Sequence, residues 1–171
     1  MQFLIINASP SNQGGTAKFC SAFWDAAQKV GAAKRLNLHD DPPAFCKGST
    51  SRPEALSVYQ REVLACDALF IATPTYWFNV PSILKAFIED LDPIESDLWQ
   101  RPRTLGVAVY APEGGELGPA TAIVLPLNHL NFSFVDNGYV YHRGTPKDDR
   151  AWEDIERMPD RMARIIGNRT A

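Results

Sequence analysis

Short apolar runs alternate along this chain with amphipathic stretches. Phe3 to Ile6, Ala68 to Ala72 and Thr104 to Tyr110 are apolar almost throughout, as strands covered on both faces require. Weaker strand patterns lie at Lys34 to Leu38, which alternates as an edge strand does, and within Phe132 to Tyr141. The pattern predicts five strands that alternate with helices and are not joined as hairpins.

Helices are predicted where apolar residues recur at three- and four-residue steps between these strands. Pro126 is expected to kink the fourth helix and Pro159 to interrupt the last one. The predicted helices are Thr16 to Val30, a helix from a Ser51-x-x-Glu54 capping box to about Cys66, a stripe from Ile83 to Leu91, a helix with Pro119 in its first turn, and a helix from about Asp148.

Alternating strands and helices with right-handed crossovers predict an α/β, three-layer sandwich around a five-stranded parallel sheet, and the edge character of the second strand suggests the order 2-1-3-4-5. With 171 residues and 19.0 kDa, we expect one domain spanning 1–171. In this order the chain turns opposite ways after strands 1 and 3, which opens a crevice at their carboxyl ends. The loops from Asn7 to Thr16 and from Thr73 to Asn79 are therefore the first places to look for a site.

Charge and cysteine content narrow the classes of partner. The net charge of -3 and the scattered Lys and Arg residues give no basic surface for nucleic acid or anionic lipid. No apolar run is long enough to cross a bilayer, and no basic leader precedes Phe3. The odd number of cysteines, Cys20, Cys46 and Cys66, without a CxxC motif predicts free thiols. We therefore expect a cytoplasmic protein that binds neither nucleic acid nor membranes.

The loop from Asn7 to Thr16 has the composition of an anion site. It offers hydroxyls, two glycines and the amino end of a helix, where free amides and the helix dipole favour a phosphate. An alternative is an ordinary turn in which Thr16 is the N-cap. The loop lacks the lysine of the GxxxxGK[ST] motif, which argues against an NTPase, and it lacks the GxGxxG motif of dinucleotide-binding folds. It also lacks the acidic residues at the end of strand 1 that a phosphoacceptor receiver domain needs. The candidate ligand residues are Ser9, Ser11, Gln13, Gly15 and Thr16.

Three consecutive aromatic residues follow strand 3. Tyr76, Trp77 and Phe78 offer a stacking surface, with Pro74 fixing the turn before them. The alternative is that they cover the edge of the sheet. After strand 4, Gly114-Gly115 would let the backbone approach a planar ring. His39, His129 and His142 are isolated in the sequence, and no spacing indicates a metal site.

These motifs together resemble the flavodoxin-like NAD(P)H-dependent FMN reductase and quinone reductase superfamily, in particular the branch that includes iron-sulfur flavoproteins. The resemblance covers nearly the whole chain. It rests on Ser9 to Thr16, on Ala65 to Trp77, on Lys85 to Asp90 and on Glu113 to Glu116. The second of these segments is the most specific.

The resemblance implies a flavodoxin-like sandwich that binds FMN and uses NADH or NADPH as cosubstrate. It also implies a homodimer or higher homo-oligomer. By the resemblance, Ser9, Ser11 and Thr16 bind the phosphate; Pro74, Thr75, Tyr76, Trp77 and Phe78 line the isoalloxazine ring and ribityl chain; and Gly114 and Gly115 flank the ring.

Two departures from the superfamily pattern affect these expectations. Relatives often carry Arg and Lys where this chain has Ser11 and Asn12, so the phosphate loses a cationic partner. In the segment from Asp40 to Arg52, Cys46 is the single cysteine, and one thiolate cannot hold an iron-sulfur cluster. We therefore expect weaker flavin binding and no cluster.

Three functions remain open at this stage. The first is an oxidoreductase that transfers hydride from NAD(P)H to a quinone, a nitro or azo compound or free flavin, with the flavin and no protein acid or base carrying the chemistry. The second is a flavodoxin-type electron carrier, although such carriers are usually more acidic. The third is a non-catalytic relative with weakened flavin binding.

Overall fold

The computed structural model describes residues 1–46, 48, 51–144 and 149–170. All five strands form one parallel sheet of order β2-β1-β3-β4-β5, which confirms the predicted order. The strands are β1 (Gln2–Asn7), β2 (Ala32–Asn37), β3 (Ala68–Pro74), β4 (Arg103–Tyr110) and β5 (Phe132–His142).

Helices cover both faces of this sheet, so the molecule has the predicted three layers. On one face α1 and α6 pack together, and the other face is covered by α2, α3 and α5. The helices are α1 (Gly15–Ala27), α2 (Val58–Ala65), α3 (Ser82–Asp90), α4 (Glu95–Leu98), α5 (Leu117–His129) and α6 (Asp149–Thr170), with a 3-10 turn over Asp92–Ile94. No helix among the described residues is long and apolar enough to span a membrane.

The central strands are buried on both faces because their side chains alternate between two cores. In β1, Phe3 and Ile5 face α1 and α6, whereas Leu4 and Ile6 face the opposite layer. On the first side, Phe23 of α1 stacks against the sheet at 4.1 Å from the ring of Phe70 in β3. This two-sided packing explains why β1 and β3 are continuous apolar runs in the sequence.

The capping box predicted at Ser51-x-x-Glu54 is wrong, because that segment is not helical. The box lies at Ser57 and Gln60: the Ser57 hydroxyl accepts from the Gln60 amide at 3.0 Å, and the Gln60 side chain accepts from the Ser57 amide at 3.0 Å. Ser57 also donates to the carboxylate of Asp90 at 2.5 Å. This tertiary contact with the end of α3 explains why α2 begins at Ser57-x-x-Gln60 and not at the similar pattern Ser51-x-x-Glu54.

The interruption predicted at Pro159 is also wrong, since α6 continues through it from Asp149. Met158 and Met162 on either side are buried against the sheet, where a Cβ at Gly106 would lie 2.2 Å from the Met158 sulfur. Burial of this apolar face outweighs the hydrogen bond that proline removes. In α5 the helix likewise continues past Pro126 to its last residue, and a bend there stays a prediction.

Arg103 ties three segments together at the amino-terminal end of β4. Its side chain is almost fully buried, and its guanidinium donates to the carbonyls of Val63 and Leu64 in α2, of Leu98 in α4 and of Arg101. The planar fork of guanidinium donors matches these converging carbonyls. Arg103 therefore supplies hydrogen-bond donors to carbonyl groups in the carboxyl-terminal turns of two short helices, α2 and α4.

Replacing Arg103 by Met should lower the free energy of unfolding by at least about 2 kcal/mol, because several buried carbonyls lose their donor. Urea unfolding followed by circular dichroism measures the change. The control is Arg52→Met, which removes an exposed ion pair of 2.7 Å with Asp97 and should cost less than about 1 kcal/mol. Equal costs for the two variants would contradict the role given to Arg103.

Candidate functional site

Four loops meet at the carboxyl edge of the sheet. The strand ladders extend into them: the amide of Ala8 donates to Ala72 at 2.9 Å, that of Thr75 to Tyr110 at 2.9 Å, and that of Ala111 to His142 at 2.9 Å. These bonds hold the loops after β1, β3, β4 and β5 in fixed positions relative to one another. The two loops that the sequence singled out are therefore neighbours, with the glycine turn after β4 beside the second.

Buried Asn7 organises the loop after β1. Its side-chain oxygen accepts from the Ser9 amide at 3.1 Å, and its side-chain nitrogen donates to Asn12 at 3.3 Å and to Asn37 of β2 at 3.2 Å. Sequence reasoning placed Asn7 in the loop without giving it a role. Its three bonds determine how the loop leaves the sheet.

The two serines of this loop bind its backbone. The Ser9 hydroxyl oxygen accepts from the Ser11 amide at 3.1 Å, and the Ser11 oxygen accepts from Gln13 at 3.2 Å and Gly14 at 3.1 Å. A hydroxyl that accepts from the backbone keeps its own hydrogen as a donor. The serines therefore shape the loop and still offer donors for an anion, while the side chain of Gln13 lies in an exposed part of the loop.

Helix α1 presents an amino terminus suited to an anion. Its N-cap is Gly14 and makes no side-chain capping bond, whereas Thr16 lies inside the first turn and is buried. The alternative in which Thr16 is the N-cap is therefore wrong. Gly15 packs against Tyr110, since a Cβ at Gly15 would lie 2.7 Å from the Tyr110 ring. Within the described residues, the first-turn amides thus lack a side-chain cap and suit an anionic ligand.

The aromatic loop after β3 closes in a two-residue turn. The amides of Tyr76 and Asn79 bond each other's carbonyls at 2.9 and 3.0 Å, and the residues between them, Trp77 and Phe78, have φ of 48° and 61°. Positive φ at both central positions defines a type I′ turn, which normally contains Asn-Gly. Two aromatic residues in this conformation carry backbone strain of about 1–3 kcal/mol each.

This strained turn displays its side chains to solvent. Trp77 is 95% exposed, Phe78 70% and Tyr76 46%. Trp77 therefore does not cover the sheet edge, which was the alternative role for the three aromatics. Backbone strain at exposed side chains such as Trp77 is often found at binding sites.

The glycine turn after β4 accommodates the aromatic turn. A Cβ at Gly115 would lie 2.5 Å from the Phe78 ring, and one at Gly118 would lie 1.7 Å from the Phe78 carbonyl oxygen. Gly115 thus serves the packing of Phe78. Gly114 has positive φ, and no atom lies within 4 Å of its missing Cβ position, so it is the glycine past which a ring can approach.

A cavity of about 570 Å³ lies between these two turns. The Oγ1 atom of Thr75 is buried beside it without a hydrogen-bond partner in the described part of the chain. Buried Pro74 ends β3 directly before it. The cavity is lined by Thr75, Tyr76, Trp77, Phe78, Pro112, Glu113 and Gly114, and the residues of the loop after β1 are not among its walls.

A charged pair lies on the far side of Phe78. Arg143 bonds one carboxylate oxygen of Glu116 at 2.5 Å and lies 5.6 Å from the centre of the Tyr141 ring. The Glu116 pKa is lowered, first by the bond from its own backbone amide and then by Arg143. Sequence reasoning missed Arg143 and Tyr110, because the ends of β4 and β5 come beside the loop after β3 only through the parallel registers of β3, β4 and β5.

Metal ligands are not grouped at this edge or elsewhere among the described residues. His129 pairs with Glu95 at 3.2 Å, and His142 accepts from the Gly144 amide at 2.8 Å through Nδ1. Lys85 pairs with Glu89 along the surface of α3 at 3.0 Å.

A family model described as flavodoxin-like fold matches residues 1–91, more than half of the chain. The chain belongs to this family. The match includes β1, the loop after it, β3 and the aromatic turn, so the flavodoxin-like resemblance is confirmed.

Solved structures of the flavodoxin-like fold align with almost the whole chain. RosB with bound 8-demethyl-8-formylriboflavin-5'-phosphate has a TM-score of 0.77 at 17% identity, covering 97% of this chain and 79% of that one. An FMN-dependent NADH-azoreductase from Bacillus anthracis, in complex with FMN, has a TM-score of 0.69 at 14% identity, covering 95% and 100%. An oxidoreductase from Corynebacterium diphtheriae has a TM-score of 0.76 at 18% identity, covering 98% and 97%.

At these identities the alignments show a shared fold. Among curated proteins, none matches the sequence significantly. The role of the site in this flavodoxin-like protein is therefore inferred from its own residues.

The substitution Trp77→Asn should raise the free energy of unfolding by about 1 kcal/mol, because Asn tolerates positive φ and the exposed Trp side chain loses little packing. Urea unfolding measures the gain. The matched control is Trp99→Asn, since Trp99 is 54% exposed but has φ of -70°. A loss of stability in Trp77→Asn would contradict the strain assigned to the turn.

Proposed function

We propose that this protein is an FMN-dependent oxidoreductase that transfers hydride from NADH or NADPH to a quinone, a nitro or azo compound, or free flavin. The observation that carries the proposal is the exposed, strained aromatic turn over a 570 Å³ cavity, at the same edge of the sheet as the uncapped amino terminus of α1. This arrangement combines a planar stacking surface with an anion site at one edge of the sheet. A phosphorylated flavin needs both to bind, the stacking surface for its ring and the anion site for its phosphate.

The residues present fit FMN. The amino terminus of α1, with the Ser9, Ser11 and Thr16 hydroxyls, would hold the phosphate. The unpartnered Thr75 Oγ1 would bond the ribityl chain or ring, and Trp77 with Phe78 would contact the ring face. The uncharged pair Ser11 and Asn12 places no cation on the phosphate, so we expect weaker binding than in relatives with Arg and Lys there.

In this proposal the bound flavin supplies the redox chemistry, accepting hydride from a nicotinamide and passing electrons to an acceptor. The protein itself binds the flavin and its two substrates and orients them relative to one another. The aromatic turn and Gly114 leave one side of the cavity open for the two substrates in succession. We assign no general acid or base, and the oxidoreductases among the structural neighbours support the same reaction class.

Two alternatives lead to different measurements. A flavodoxin-type carrier would bind FMN but would not oxidise NAD(P)H, and the modest net charge of -3 disfavours it. A non-catalytic relative would bind no flavin; the observation that favours it is that the oxygens of Ser9 and Ser11 already accept loop amides.

The test is steady-state oxidation of NADH and of NADPH by FMN-loaded protein with a quinone as acceptor. The proposal expects saturable turnover that requires both the nucleotide and the quinone. Bound flavin without oxidation of either nucleotide would contradict the enzyme and favour the carrier.

Thr75→Val should weaken FMN binding about tenfold without lowering the free energy of unfolding. The hydroxyl has no partner among the described residues, so replacing it by a methyl group removes a bond that only a ligand makes. Isothermal titration calorimetry and urea unfolding measure the two effects.

The control is Thr104→Val. Thr104 Oγ1 is also buried without a partner in the described structure, but it lies at the opposite end of the sheet. It should tolerate the change and leave FMN binding unaltered. Equal losses of FMN affinity in both variants would contradict the assignment of Thr75.

We also propose that the protein is a homodimer. Between Leu117 and Asn128, α5 has no Asp, Glu, Lys or Arg residue, and it exposes 74% of Leu117 and 68% of Leu125 beside a groove of about 600 Å³ along α3. A helix that is apolar on its outer face is normally covered.

A cytoplasmic location also remains part of the proposal, consistent with the free thiols of the three cysteines.

Leu125→Glu should shift the protein from dimer to monomer, because it places a charge in the proposed interface. Sedimentation equilibrium measures the mass. Trp99→Glu, which changes an exposed aromatic residue at the end of α4, should leave the dimer intact. A monomeric wild-type protein would contradict the proposal.

A further inference from the structure

Arg35 of β2 carries a positive charge that no carboxylate pairs with in the described part of the chain. Its side-chain hydrogen bond there runs from Nε to the side-chain oxygen of Asn37 at 3.2 Å. By contrast, the preceding residue Lys34 points to the other face of β2 and pairs with Glu62 of α2 at 2.6 Å. Because a guanidinium has five N–H donors, Arg35 keeps both its charge and several donors for a further partner.

Arg35 lies on the α1 face of β2. Ala33, two residues earlier and therefore on the same face, packs against the layer of α1 and α6. Burial raises the pKa of the Cys20 thiol, in the second turn of α1, to about 12, and the charge of Arg35 acts on this pKa in the opposite direction. The guanidinium is therefore close to the amino-terminal half of α1, the helix end that suits an anion.

A short series of side-chain contacts joins Arg35 to the loop after β1. The Asn37 oxygen that accepts from Arg35 also accepts from Asn7 Nδ2 at 3.2 Å, and the same Asn7 nitrogen donates to the oxygen of Asn12 at 3.3 Å. These successive contacts place Arg35 Nε within roughly 10 Å of the Asn12 oxygen, which is about one Debye length at 0.1 M salt. The charge of Arg35 is therefore close enough to attract an anion bound by this loop.

Asp40 is an acidic residue on the same series of contacts. Its carboxylate accepts from Asn37 Nδ2 at 2.8 Å, which leaves the Asn37 oxygen for Arg35 and Asn7. Asp40 is exposed whereas Arg35 is half-buried, so water and salt screen the carboxylate more strongly than the guanidinium. The net effect on the loop is therefore that of a cation.

We propose that Arg35 supplies the positive charge that Ser11 and Asn12 do not, and thereby makes the site prefer FMN to riboflavin, which lacks the phosphate. The inference rests on the proposed function, since it assumes that the anion at α1 is the phosphate of FMN. Arg35 acts from β2, farther from the phosphate than an arginine in the loop itself. Binding therefore remains weaker than in relatives with Arg and Lys at the two loop positions.

The test measures the affinities of wild-type protein and Arg35→Gln for FMN and for riboflavin, by quenching of flavin fluorescence. Glutamine keeps a donor for Asn37 but carries no charge, so the affinity for FMN should fall about fivefold at low salt. The affinity for riboflavin should change less than about twofold, because riboflavin carries no phosphate. At about 500 mM salt the loss of FMN affinity should shrink, since salt screens the charge.

Three further variants locate the charge. Lys34→Gln is the matched control, because it removes the same charge from the next residue on the opposite face of β2 and should leave the FMN affinity unaltered. Arg35→Lys keeps the charge and should retain the FMN affinity of the wild type within about twofold. Lys18 is an exposed cation in the first turn of α1. A larger loss of FMN affinity in Lys18→Gln than in Arg35→Gln would overturn the inference.

The comparison of the two flavins separates an effect of charge from a structural role. Equal losses of FMN and riboflavin affinity in Arg35→Gln would mean that Arg35 only supports the loop, and an FMN affinity equal to that of the wild type would overturn the inference as well. If Arg35→Gln does not fold, Arg35→Met, which keeps the aliphatic part of the side chain, gives the same comparison. Failure of the wild-type protein to bind either flavin would instead contradict the proposed function, and the inference with it.

Discussion

Parallel pairing of β1 with β3 at the centre of the sheet is the constraint on which the site depends. The register places Asn7 opposite Ala72, and the amide of Ala8 continues the ladder to the Ala72 carbonyl. Because β2 lies beyond β1 and β4 beyond β3, the chain leaves these two strands in opposite directions. The anion loop and the aromatic turn therefore leave the same edge of the sheet in different directions, and the 570 Å³ cavity opens between the aromatic turn and the glycine turn after β4.

The aromatic turn then gives this space its chemistry. Trp77 and Phe78 adopt a conformation suited to Asn-Gly, and Gly115 and Gly118 leave room for Phe78 where side chains would collide. Packing of Phe78 on the glycine turn supports the strained backbone and leaves Trp77 exposed. This packing fixes the position of the stacking surface, which reduces the ordering required on binding.

The sheet order could be predicted from the sequence, because β1, β3 and β4 are apolar runs typical of strands covered on both faces, whereas Lys34 to Leu38 alternates as an edge strand does. The sequence was insufficient for the start of α2. Ser51-x-x-Glu54 and Ser57-x-x-Gln60 are similar capping patterns, and the contact of Ser57 with Asp90 is a tertiary one. The positive φ of Trp77 has no sequence signal, and Glu116 meets Arg143 only through folding. Local sequence patterns therefore located the two loops of the site, whereas the backbone strain at Trp77 and the ion pair between Glu116 and Arg143 are visible only in the structure.

The account depends most directly on whether the crevice binds FMN. Titration of purified protein with FMN, followed by the quenching of flavin fluorescence and compared with riboflavin, measures this without assuming any reaction. We expect saturable FMN binding that is weaker for riboflavin, because the amino terminus of α1 binds the phosphate. Absence of saturable binding would contradict the flavin site, and equal affinity for riboflavin would contradict the role of the loop after β1.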